Sequence, residues 1–220
     1  MDSITSDEMR IIEDKAEKLG ISKLILMENA GNNIVNYIKK NIIIKRKKII
    51  IISGTGNNGG DGLVAARHLA CEGGIIYVIL LGNSKKIKNE AKVNWDILIK
   101  MKKIINIITT ETCDELANFS DLIKHSDIIL DALLGTGIRG ELKTVYKYGI
   151  NLINESKAFK ISIDIPTGMD PNTGNILDKI VKPDVTITFH KIKRGLVINK
   201  NKIGKLVVES IGIPKNIDTA

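Results

Sequence analysis

The sequence predicts a doubly wound α/β fold: a mostly parallel sheet with helices on both faces, three layers in all (α/β/α), and two helices appended at the N-terminus. Three observations carry it. Short apolar runs alternate with segments of helical periodicity along most of the chain. The runs are continuous rather than alternating in polarity, as in KKIIIIS (47–53), the pattern of strands buried on both faces. Polar, glycine-rich segments follow four of these runs, at the strand ends where open parallel sheets bind ligands.

In order along the chain, Ser6 followed by Asp7 and Glu8 reads as a helix start, with a capping oxygen and acids in the first turn. Met9, Ile12, Ala16 and Leu19 recur at helical spacing, and Gly20 ends the segment. A second helix is predicted over 23–40, and KKIIIIS is the first strand of the main sheet. Then come a helix after Gly60, a strand over 75–81, a helix over 89–101 and a strand over 104–108. A helix over 112–124, a strand over 126–131, a helix over 141–156 and a strand over 160–164 continue the alternation. Strands over 185–189 and 205–208 follow with no clear helix between them. No linker or internal repeat interrupts the pattern, so residues 1–220 read as one domain, long enough to bury a full core.

The formal charge of +8 raises the question of nucleic acid or an acidic membrane surface. Aromatics make up only 4%, poor for stacking on bases, and Lys replaces Arg nearly everywhere in a chain rich in Ile, Lys and Asn. The charge therefore reads as compositional drift, with no nucleic-acid partner expected. Cys71 and Cys113 have no metal-ligand or redox spacing, which suits a reducing compartment. MDSITSDEMR carries acids where a signal peptide carries bases. Apolar stretches such as IIYVILL fall far short of the ~20 residues of a membrane helix. A cytoplasmic protein with no membrane partner is the expectation.

The four segments at strand ends are GTGNNGGDG (54–62), DALLGTGIRGEL (131–142), DIPTGMDPNTG (164–174) and HKIKRGL (190–196). Gly54, Gly56 and Gly59 have the G-x-G-x-x-G spacing of a dinucleotide loop. A dehydrogenase fingerprint also needs an acid at the end of the next strand, and that end reads LLGNSKK. A loop that only cradles a pyrophosphate has no need of Asn57, Asn58 and Asp61 either. Asn58, Asp131 and the Thr167 hydroxyl come from three strand ends, and all three offer hard oxygen ligands. Together they suit a hard cation, with glycine N–H groups of the same loops left for phosphate. The plainer reading gives each Asn and Asp an Asx-turn or a helix cap. It serves for one residue and strains for four loops at once.

GTGNNGGDGLVAARHLA, DALLGTGIRGEL, SIDIPTGMDPNTG and the opening helix pair with LMENAG (26–31) resemble the YjeF N-terminal domain family, the NAD(P)H-hydrate epimerases, from about Ile4 to about Pro214. The resemblance implies a Rossmann-like fold and a role in metabolite repair: interconversion of the R and S forms of hydrated NADH and NADPH (NADHX and NADPHX). It also implies a companion ATP- or ADP-dependent dehydratase that restores the cofactor from the S form. One potassium ion per subunit is implied at Asn58, Asp131 and Thr167, the set already suggested by oxygen chemistry; the family often has Ser at the last position, and Thr167 keeps the hydroxyl. Substrate contacts are implied at Asn57, Asn58, Gly59, Gly60 and Asp61, at Gly135, Thr136, Gly137, Ile138, Arg139, Gly140 and Glu141, and at Asp164. HKIKRGL resembles, loosely, a family segment with Lys before Gly. VVESIGIP resembles the point where bifunctional members pass into a dehydratase domain, so the chain is either a free-standing epimerase or one half of such a protein. A homodimer is expected, although Leu24, Leu26 and Met27 on the N-terminal helices serve equally for internal packing.

The reacting carbon of such a substrate bears a hydroxyl beside a ring nitrogen. It can lose hydroxide to an iminium ion and take water back on either face. Asp164, at a strand end before the tight IPTG turn, is the expected proton shuttle: it protonates the departing oxygen, then takes a proton from the returning water. A cap or a ribose contact is its other reading. Asp61 is expected to cap the following helix, contact substrate, or both. His68 reads as a partly buried helix residue, His190 as a weaker site candidate, His125 as surface, and Trp95 and Cys71 as core or helix-face residues. The alternative function is a nucleotide-binding or scaffold module that does not turn over; an intact Asn58, Asp131, Asp164 and Thr167 set argues against it.

Overall fold

A computed structural model describes residues 3–137, 140–215 and 217. The chain opens with a two-residue strand β1 (Ser3–Ile4) and two helices, α1 (Ser6–Lys18) and α2 (Lys23–Asn41). The alternating part is β2 (Lys48–Ser53), α3 (Asn57–Cys71), β3 (Ile75–Leu81), α4 (Asn89–Lys100) and β4 (Asn106–Thr110), then α5 (Cys113–Ala117), α6 (Ser120–Lys124), β5 (Ile128–Ala132), α7 (Thr144–Glu155), β6 (Phe159–Ile163) and β7 (Val185–Phe189). It closes with β8 (Ile192–Lys193), α8 (Arg194–Ile198) and β9 (Lys205–Glu209).

Seven strands form one sheet in the order β4-β3-β2-β5-β6-β7-β9, and every pairing is parallel. The order reverses between β2 and β5, so their carboxyl ends flank a switch-point crevice. Side chains alternate faces along a strand. Ile49 and Ile51 of β2 therefore pack in one apolar cluster with α1, α2, α3 and α4, while Ile50 and Ile52 join the other with α5, α6 and α7. All four isoleucines are fully buried, as the unbroken run predicts. Leu26 and Met27 turn inward to the first cluster, whereas Leu24 stays outside.

Several boundaries move. Thr5, not Ser6, caps α1: its hydroxyl accepts from the Glu8 N–H (3.2 Å), and the Glu8 carboxylate accepts from the Thr5 N–H (2.8 Å), a reciprocal capping box. The Ser6 N–H is thereby free to reach Asn172 Oδ1 (2.8 Å). The segment 112–124 is broken at Asn118–Phe119, where the Phe119 N–H bonds back to the Leu116 carbonyl, and α7 begins only at Thr144. The helix expected after Gly60 begins instead at Asn57, so two-thirds of the glycine-rich segment is helix. Trp95 is buried, Cys71 and His125 are exposed, and His68 is half-buried, bonded to Glu28 (2.7 Å). No helix among the described residues is long and apolar enough to cross a membrane.

Candidate active site

Strand register assembles the polar groups. Asp131 of β5 lies beside Ser162 of β6, and the Ser162 hydroxyl donates to the Asp131 carboxylate (2.7 Å). The turn after β6 brings back the Thr167 N–H (2.9 Å) and hydroxyl (2.6 Å) to the same carboxylate. Burial pushes the Asp131 carboxyl up, opposed by hydrogen bonds from Thr167, Ser162 and Leu133. Asn58 of α3 is the odd member. Both polar atoms of its side chain are buried with no hydrogen-bond partner among the described residues, an expensive arrangement in a native interior. A Cβ at Gly135 would lie 3.0 Å from the Asn58 side chain, so the loop after β5 closes directly over it. The same loop links Asn58 to the other two, since the Leu134 N–H donates to the Thr167 hydroxyl (3.0 Å), and an unused amide oxygen, a carboxylate and a hydroxyl are a donor set that fits a hard monovalent cation. No cluster of three or more His, Cys, Asp or Glu ligands occurs among the described residues.

The N-terminus of α3 faces the same crevice. Gly56 caps it without a side chain, and the first N–H groups of such a helix point outward and unsatisfied. Three glycines set how closely these parts approach. A Cβ on Gly54 would fall 2.0 Å from the Leu133 carbonyl oxygen, and one on Gly59 2.1 Å from that of Gly54. A Cβ on Gly62 would fall 2.5 Å from Ala132 Cβ. The glycine spacing thus seats α3 against β2 and the β5 loop.

Asp164 follows β6 in a left-handed conformation (φ +63°), which turns its carboxyl away from the strand direction. Because Ile163 pairs with Ile187, Asp164 stands next to Thr188, whose hydroxyl donates to it (2.9 Å). The Lys193 ammonium lies 2.5 Å from the same carboxylate and donates also to Thr188 Oγ1 (3.2 Å) and the Phe189 carbonyl (3.0 Å). Lys193 is 1% exposed; β1 pins its strand, with Ile4 opposite Lys193. A lysine is almost never this deeply buried without a partner.

Asn58, Asp164 and Lys193 open on one cavity of about 410 Å³, whereas Asp131, Ser162 and Thr167 are buried off its lining. Asn57, Asn58, Asp61, Gly135, Thr136, Gly137, Asp164 and Lys193 form its polar side; Met9, Leu26, Met27, Tyr146 and Phe189 offer apolar surface. Gly59 and Gly60 sit behind the wall, the latter against Met27. Gly140 and Glu141 are exposed and off the lining, and Ile138 and Arg139 lie outside the described residues. His190 is not in the lining, although its neighbour Phe189 is. Asp61 does not cap α3; it lies inside the helix and faces the cavity. Sequence reasoning missed two members. Lys193 was hidden in a lysine-rich chain. Glu13 lines the cavity from α1, and its place four residues after Met9 on the buried stripe was the available signal.

The family model described as YjeF-related protein N-terminus matches residues 23–195. The NAD(P)H-hydrate epimerase of Nitrosopumilus maritimus is 43% identical over 213 residues, which span 96% of this chain and 95% of that protein. The bifunctional NAD(P)H-hydrate repair enzyme Nnr of Pyrobaculum aerophilum is 42% identical over 217 residues; these are 97% of this chain but only 42% of that longer protein. A crystal structure of yeast ynu0, YNL200c, superposes with a TM-score of 0.84 at 23% identity, covering 99% of this chain and 92% of that one, a likeness of fold. By these matches the chain belongs to the YjeF-related N-terminal domain family.

Proposed function

We propose that residues 1–220 form one catalytic domain that epimerises hydrated NADH and NADPH. The observation that carries the reading is a single switch-point cavity in which an open helix N-terminus meets an ion-paired carboxylate, Asp164. The α3 N-terminus suits the pyrophosphate. The apolar wall suits the dihydropyridine ring, and Asp164 is within the cavity for proton transfer at the hydrated carbon. The names of the two relatives support the same substrate.

In the mechanism the binding side chains fix the ring so that loss and return of the hydroxyl happen at one position. Asp164 is ion-paired with Lys193 and accepts from Thr188, contacts that fix its carboxyl for taking a proton from the returning water. Asn58, Asp131 and Thr167 would hold potassium, which when bound supplies positive charge to a site otherwise rich in carboxyl groups. A companion dehydratase that consumes the S form belongs to the reading, either separate or fused as the bifunctional relatives suggest. So does a reducing, cytoplasmic setting, and so does a homodimer, for which Ile11, Leu19, Leu24 and Ile25 offer exposed apolar surface on the N-terminal helices.

The test is a coupled assay: a dehydratase exhausts the S form of hydrated NADPH, and this protein is added to the remaining R form. Rapid disappearance of R is expected; a rate no faster than spontaneous epimerisation leaves a nucleotide-binding module as the better account. Potassium is tested without turnover. Replacing choline by potassium is expected to stabilise the protein by about 2.7 kcal/mol at one hundred times Kd. Thermal melts of the wild type are expected to show this rise, and melts of Asn58→Ala to lose most of it. Equal melts in both salts would remove the cation from the account.

A further inference from the structure

The Asp61 carboxyl faces the cavity from the second turn of α3 with no hydrogen bond or ion pair to any described residue. Its nearest available cation is spent elsewhere. An ammonium has three N–H donors, and those of Lys193 go to Asp164, Thr188 and the Phe189 carbonyl. The other charged groups facing it are acidic: Asp164 beyond β6 and Glu13 on α1. Lys23, on the same lining, is engaged by Asp14 at 2.7 Å, and Glu90 adds a further acid from α4. The N-terminal field of α3 fades beyond the first turn. Asp61 is half-buried; desolvation within the cavity pushes its carboxyl well above the usual carboxylate range, the charges of Asp164 and Glu13 push it further, and Lys193 offsets only part. Burial and Asp164 push Glu13 upward as well. Of the four carboxyls on this lining, Asp164 is tied to a buried ammonium and Asp61 is left without a partner, a contrast of the kind that separates a base from an acid.

We propose that epimerisation uses both groups: Asp61 gives the proton to the departing hydroxyl oxygen, and Asp164 takes the proton from the water that returns. The proposal rests on the epimerase reading. The carbon–oxygen bond breaks with its electron pair leaving on oxygen, which departs as water carrying the Asp61 proton, and the ring carries the iminium charge. Water then adds to the other face, a new carbon–oxygen bond forms, and its extra proton passes to Asp164. One proton has moved from Asp61 to Asp164, and exchange with solvent returns it. The reverse epimerisation runs from the opposite proton placement, so both directions need one proton held between the two groups.

Asp61→Asn keeps the size and shape of the side chain and removes the transferable carboxyl proton. With potassium present and R and S separated by chromatography, kcat is expected to fall about 100-fold or more, with KM within about threefold. The alkaline fall of the wild-type rate, where Asp61 loses its proton, is expected to vanish from the residual rate. Unchanged kcat with raised KM would make Asp61 a binding residue and overturn the proposal. A second readout needs no turnover. A carboxyl raised in the folded state loses stability for the fold as pH rises above the unfolded value of about 3.9. Asp61→Asn is therefore expected to melt with the wild type near pH 4 and about 3 °C or more above it at pH 8. A lower melting point at pH 8 would mean a stabilising carboxylate and would also overturn the proposal. A wild type that binds hydrated cofactor but never epimerises it would sink the function and the donor role together, whereas the melts report on Asp61 in either case.

Discussion

Asp164→Asn is expected to lower kcat by about 10²–10⁴-fold, the usual contribution of a positioned proton-transfer group. The substitution keeps the oxygen that accepts from Thr188 and Lys193, so the turn before IPTG retains its hydrogen bonds. It does not leave stability untouched. Lys193 is 1% exposed, and without the Asp164 carboxylate its ammonium is a buried charge with only neutral acceptors. Removing one member of a buried pair costs about 3–5 kcal/mol, whereas replacing both by neutral groups is often close to neutral. The double variant Asp164→Asn/Lys193→Met is therefore expected to recover most of the lost stability in urea unfolding and none of the lost rate. That split separates the structural duty of the pair from its chemical duty. A double variant as unstable as the single one, or a single variant with full rate, would contradict the role given to Asp164.

Gly59→Ala is expected to damage both stability and rate, although alanine is intrinsically the better helix residue by about 1 kcal/mol. The added Cβ would stand 2.1 Å from the Gly54 carbonyl oxygen, 2.9 Å from its carbon and 2.8 Å from Ser53 Oγ. Two of those atoms are backbone and cannot rotate away, so α3 must back off from β2. Overpacking of this kind costs about 1–3 kcal/mol. It also displaces Asn57, Asn58 and Asp61 on the same helix turns, and a displacement of about 1 Å is enough for a 100-fold loss of rate. Gly56→Ala is the control for stability alone: its Cβ meets nothing within 4 Å, at a φ of −96° that any residue adopts. Melting curves of the two variants should diverge sharply. Similar behaviour would mean that the glycines serve backbone freedom rather than the seating of α3.

The fold was legible because its strands are buried on both faces. A run such as KKIIIIS needs no partner information to be read as a central parallel strand, and the seven-stranded sheet follows from such runs. The convergence of the polar strand ends was legible for the same reason. Register was not, since it depends on which strand lies beside which. The contacts of Asp131 with Ser162 and of Asp164 with Thr188 exist only through the β5–β6 and β6–β7 pairings. Lys193 escaped notice because its burial comes from β1, nearly two hundred residues earlier in the chain. The glycine-rich segment looked like a loop because glycine is a poor helix former; packing against β2 and the β5 loop makes it a helix from Asn57 onward.

The hydroxyl is expected to leave and water to return in the cavity lined by Asp61, Asp164 and Lys193. The most direct measurement follows inversion of hydrated NADPH in ¹⁸O-water, reading stereochemistry by chromatography and the hydroxyl oxygen by mass spectrometry. The expected result is inversion well above the spontaneous rate, with one solvent oxygen gained at each inversion. Inversion that keeps the original oxygen would mean that the ring carbon–nitrogen bond opens instead, and it would contradict the roles given to both carboxyl groups.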